Sequence, residues 1–89
     1  YTKLGSNIYI FEGKTLLKDF SKILNLPDDE FDEIEGDADS LAGLLLEIKG
    51  DFPAVHEMLI YKNYKFEVLA IEERRISKVK VTICGTNNE

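Results

Sequence analysis

Between Leu41 and Ile83 a helical repeat gives way to strand-like segments, and that change of period constrains the fold more than any other feature of the chain. Leu41, Leu44, Leu45 and Ile48 stand at the i, i+3, i+4, i+7 spacing of a stripe buried along one side of a helix. Asp39 or Ser40 can cap its start, and Gly50 offers its C-terminal exit. Beyond Phe52-Pro53, residues 58–61 and 66–71 flank Lys62-Asn63-Tyr64, which predicts a hairpin with the positive φ on Asn63. After the charged turn Glu72-Glu73-Arg74, Val79, Val81 and Ile83 alternate with Lys78, Lys80 and Thr82, as in a strand with one solvated face. Ile76 is out of phase with that set, so the strand either carries a bulge near Ser77 or begins after it.

The first half adds a strand over residues 7–12, where Ile8-Tyr9-Ile10-Phe11 is broken at Gly13. Thr15 is the expected cap of a following helix, with Leu16, Leu17, Phe20, Ile23 and Leu24 on one face. That helix should end near Asn25, because Pro27 disfavours helical geometry at Leu26 and has no N–H to donate. Residues 28–39 hold eight carboxylates and no periodic apolar face, which reads as an exposed loop that Phe31 and Ile34 pin to the body. Gly43 inside the second helix costs about 1 kcal/mol relative to alanine, so it marks close approach by a neighbouring element. The order is β-α-α-β-β-β, an α+β fold with two helices packed on a mainly antiparallel four-stranded sheet. Residues 1–89 form one domain with its core over about 7–83.

Charge narrows the function. Residues 1–40 carry four basic and ten acidic side chains, whereas 41–89 carry seven of each, so the net −6 belongs to one half. A duplex-binding protein must displace counterions with cations, so nucleic acid is an unsuitable partner. No apolar run approaches the ~20 residues that span a bilayer. The lone Cys84 can form no internal disulfide, which fits a reducing compartment. A start at Tyr1 rather than Met points to a segment of a longer polypeptide.

Candidate sites are sparse. Asp28, Asp29, Glu30 and Asp32 are the candidate metal ligands, since hard cations take oxygen donors. With Gly36 at the sixth position of an EF-hand loop, however, Phe31 and Ala42 would fall where the first and last ligands belong. A solvated loop whose last carboxylates favour the second helix's N-terminus is the simpler reading. His56 stands alone, and Glu57 would point to the opposite side of an extended segment. Cys84 lacks a CxxC partner. Glycines 5, 13, 36, 43, 50 and 85 are scattered, so neither a dinucleotide fingerprint nor a P-loop can be drawn. Arg74 and Arg75 are candidates for an anion site, weighed against ordinary solvated turn arginines. No nucleophile, base and acid come together, so no enzyme activity is expected.

Phe11-Glu12-Gly13-Lys14-Thr15, Leu41-Ala42-Gly43-Leu44, Gly50-Asp51-Phe52-Pro53, Tyr64-Lys65-Phe66-Glu67-Val68 and Arg74-Arg75-Ile76 with Val79-Lys80-Val81 occur in that order. In order and spacing, over about residues 7–83, they resemble the CorC/HlyC transporter-associated domain. The resemblance implies a β-α-α-β-β-β fold akin to a flavin-binding domain. It also implies a place at the cytoplasmic C-terminus of a membrane protein with a pair of CBS domains, of the kind labelled hemolysin or magnesium/cobalt efflux protein. The implied role is a non-catalytic regulatory or interaction module, whose partners are the neighbouring CBS and membrane domains or a second copy forming a homodimer. The implied alternative is a module that binds flavin adenine dinucleotide or an adenine nucleotide, with no residue of this chain marked for it. Two turns depart from the pattern: His56-Glu57 replaces a glycine-acid pair, and Asn63 replaces a hairpin glycine. A role in association would use a sheet edge, and Lys78 and Lys80 disfavour their own strand, leaving residues 8–11 or 58–61 as the contact.

Overall fold

The computed structural model describes residues 1–26, 31 and 38–84. Its elements are β1 (Thr2–Lys3), β2 (Ile8–Glu12), α1 (Leu17–Leu24), α2 (Leu41–Lys49), β3 (Met58–Tyr61), β4 (Tyr64–Glu72) and β5 (Arg75–Ile83). Every pairing is antiparallel, in the spatial order β1-β2-β5-β4-β3. The α+β architecture holds, but the sheet has five strands where four were expected. The extra strand, β1, sets Thr2 and Lys3 against Ile10 and Tyr9, and two residues are too few to show an alternating pattern.

Register explains the core. Tyr9, Val81, Phe66 and Leu59 lie in one row across the sheet, and Phe11, Val79 and Val68 in the next. Paired residues share a face, so these rows form the floor on which Leu17, Phe20, Leu41, Leu44 and Leu45 pack. Phe11 meets Phe20 edge-on at 4.9 Å between ring centroids, and Phe31 joins Phe20 at 5.9 Å and Tyr64 at 5.6 Å. Phe31 is buried in the core, while Ile34 and the carboxylates on either side of Phe31 lie outside the described residues.

The helix ends show where tertiary contacts override local signals. Thr15 does not cap α1: Leu16 is the N-cap, without a side-chain bond, and the Leu17 N–H donates to the Asp39 carbonyl at 3.0 Å. Leu16 and Ile23 are exposed rather than buried, which narrows the α1 stripe to Leu17, Phe20 and Leu24. The helix stops at Asn25 as expected, through a left-handed Asn25 (φ 61°) whose N–H and that of Leu26 return to the carbonyls of Lys22 and Ser21. Of the two cap candidates for α2, Ser40 serves, its Oγ accepting the Gly43 N–H at 3.2 Å. Gly50 closes that helix with φ 77°.

In the first hairpin the positive φ falls on Lys62 (53°) where Asn63 was expected, and β4 begins at Tyr64. The second hairpin turns on Glu73 and Arg74, with φ of 52° and 64° between paired Glu72 and Arg75, as in a type I′ turn. Val68 pairs with Val79, Ala70 with Lys78 and Ile71 with Ile76, so Leu69 and Ser77 are skipped. The irregularity at Ser77 turns Ile76 and Val79 to the same buried side, as the phase conflict had suggested.

Candidate functional site

The β2–α1 turn, the start of α2 and the β4–β5 turn meet around a cavity of about 440 Å³. Gly13 is the seam. Its N–H donates to the Ser77 carbonyl at 3.0 Å and its own carbonyl accepts the Ala42 N–H at 2.9 Å. The Leu41 N–H donates to the Thr15 carbonyl at 2.8 Å, so with Gly43 bonded to Ser40 the first-turn donors of α2 are engaged. Any anion here would meet side chains. Arg74 and Arg75 border the cavity together with Lys14, whose ammonium lies 3.6 Å from the Glu12 carboxylate. The two arginines singled out in the sequence are thus brought to one mouth. Lys14 is their unforeseen companion, because nothing in the sequence shows that two turns sixty residues apart are neighbours.

The other candidates are dispersed. His56 adopts φ 70°, its N–H donates to the Val68 carbonyl at 2.6 Å, and its exposed Nδ1 lies 3.4 Å from Glu67 Oε2. The segment is therefore a turn, not the extended run that would send Glu57 to the opposite side. Instead Glu57 Oε1 accepts the Ala54 N–H at 2.9 Å while Oε2 pairs with the Lys49 ammonium. The Lys49 bond, with that of Ala54 behind it, holds the Glu57 carboxyl below its usual range. The left-handed φ also accounts for the glycine expected at position 56 by resemblance. Cys84 is partly buried, and its N–H donates to the Asn63 carbonyl at 2.6 Å. Asp28, Asp29, Glu30 and Asp32 lie outside the described residues. Among the described residues no three His, Cys, Asp or Glu side chains gather as a metal site.

A second feature is the sheet's edge and its face away from the described helices. β5, with Lys78 and Lys80, runs in the middle of the sheet, and β1 covers the outer side of β2, so neither is an open long edge. The two-residue β1 is one edge and the longer β3 the other, and Met58 and Ile60 of β3 are 52% and 65% exposed. Met58 lies in a row with Glu67, Lys80 and Ile10 on the face away from the helices. No described helix is long and apolar enough to cross a membrane.

The family model of the CorC_HlyC transporter associated domain matches residues 2–84. Among solved structures, the transporter associated domain from a CBS domain protein of Porphyromonas gingivalis is 39% identical, with a TM-score of 0.84. That match covers 92% of this chain and 94% of the other. A CorC_HlyC domain from Haemophilus ducreyi is 23% identical over 96% of this chain and 98% of that one, with a TM-score of 0.70. The CorC_HlyC domain of a Xylella fastidiosa Temecula1 hemolysin, solved in complex with Mg²⁺ and Mn²⁺, is 16% identical over 96% of each chain, with a TM-score of 0.74. These last two likenesses speak for the fold alone. No curated protein matches the sequence.

Proposed function

Because the chain belongs to the CorC_HlyC transporter associated domain family, we propose that it is a non-catalytic regulatory and interaction module of a membrane-attached magnesium/cobalt transport protein. Its neighbours in the longer polypeptide would be a membrane region and a CBS pair, a context supported by the CBS domain protein that supplies the 39% identical relative. The observation that carries the interaction role is the β3 edge. Met58, Leu59, Ile60 and Tyr61 include no charge and no proline, the devices that usually protect an edge from pairing. Antiparallel pairing of β3 with β3 of a second copy, centred on Leu59, would set Met58 of one against Ile60 of the other. Main-chain hydrogen bonds would supply affinity without any special side chain.

Sedimentation equilibrium tests this. The wild type should dimerise with rising concentration, and Ile60→Lys should stay monomeric with an unchanged unfolding midpoint. A wild type that is monomeric at about 1 mM, or a variant that dimerises equally, removes β3 as the contact. The α2 N-terminus has no first-turn donors left to cradle a phosphate, which counts against a flavin or adenine nucleotide held at that helix end.

A further inference from the structure

We infer that the cavity beside Gly13 is a binding site for a small organic anion, an apolar ring or short chain carrying one phosphate or carboxylate. Charge is the first reason. Among the described residues, Lys14, Arg74 and Arg75 line the cavity with one carboxylate, Asp39, which leaves an excess of positive charge even with Lys14 beside Glu12. Among the described residues neither arginine forms an ion pair, which leaves both guanidinium forks open to a carboxylate or phosphate. The adjoining cavity shares Lys14 and Arg75 and adds Lys78, but balances these three cations with Glu12, Glu72 and Glu73, so the excess of positive charge lies on the Arg74 side.

The apolar wall is the second reason. Leu16, Leu46 and Phe52 line the cavity at 37–41% exposure, a surface that an inorganic anion would leave wet and an apolar body would cover. About 440 Å³ is within the range of small-molecule sites. The third reason is backbone conformation. Glu73 and Arg74 both occupy the left-handed region, where the Asn-Gly pair favoured by such a turn would remove the arginine. Strain retained beside a charged cavity fits a functional demand on Arg74.

Calorimetry and amide-shift mapping with phenyl phosphate, benzoate and inorganic phosphate test the site. At least one aryl anion should bind with a dissociation constant of about 1 mM, as a fragment of this size allows, and shift the amides of Gly13, Gly43 and Ile76. Inorganic phosphate should bind roughly ten-fold more weakly, and Arg74→Gln/Arg75→Gln should weaken the aryl anion at least about ten-fold without changing the unfolding midpoint. Leu46→Ser should weaken the aryl anions and leave inorganic phosphate unchanged. The tighter of phenyl phosphate and benzoate identifies the head group, and either result supports the site. Ile60→Lys should leave binding intact, so this inference and the edge-pairing proposal fail separately. Binding that is equal in the double glutamine variant, inorganic phosphate as tight as both aryl anions, or no response to either at about 10 mM overturns the inference.

Discussion

Gly13 approaches Ile76 so closely that a Cβ on residue 13 would stand 2.0 Å from the Ile76 carbonyl oxygen. Gly13 is not among the residues with positive φ, so space rather than backbone freedom demands glycine. The same side-chain-free position lets its carbonyl reach the Ala42 N–H, joining β2, β5 and α2 in one tight junction. Gly13→Ala should therefore cost at least about 2 kcal/mol, because the obstacle is backbone that cannot swing aside. Urea denaturation measures it, and a loss below about 0.5 kcal/mol would show that the junction relaxes freely.

Leu45 and Leu46 are adjacent in sequence and opposite in environment. Leu45 is fully buried, whereas Leu46 lies partly exposed on the cavity wall. Leu45→Ala should cost about 2–5 kcal/mol, and Leu46→Ala no more than about 0.5. Equal losses in denaturant melts would mean that the α2 stripe is rotated from the face assigned to it.

The β4–β5 turn has room for improvement. Glu73→Asn with Arg74→Gly matches the preference of a type I′ turn and should raise stability by about 1 kcal/mol. A lower melting temperature for the double variant would show that the native side chains make stabilising contacts outweighing the backbone cost.

Glu57 links stability to acid. Its folded pKa is depressed, so its bonds to Lys49 and Ala54 stabilise the fold above the ordinary carboxylate range, and that contribution fades as pH falls through the lower folded value. Glu57→Gln should melt earlier than wild type at neutral pH, with the gap closing under acid. Thermal melts between about pH 2 and 7 check the sign, and a gap that widens on acidification would contradict it.

Much of the fold was legible because its signals are local and redundant. Leu41, Leu44 and Leu45 repeat at the helical period, Ser40 and Gly50 bracket them, and all five behave as their chemistry requires. The phase conflict at Ile76 likewise located a real irregularity at Ser77. The candidate site was legible only as two arginines. Their meeting with Lys14 depends on the junction at Gly13, and the sequence shows that residue merely as a strand breaker.

By itself, then, the sequence determined the type and order of the two helices and four longer strands and the apolar face of α2, because side-chain period and turn residues act within a few positions of one another, while the order and spacing of its motifs carried the family resemblance. Tertiary structure alone decided the α1 cap, the fifth strand, the edge at β3 and which turns share a cavity. The cap depends on a partner brought from across the chain, Asp39 satisfying Leu17 in place of Thr15, whereas the two residues of β1 gain strand geometry only from their pairing with β2. Backbone hydrogen bonds carry no side-chain signature, so where the chain satisfies them over long range, composition and spacing cannot foretell the choice.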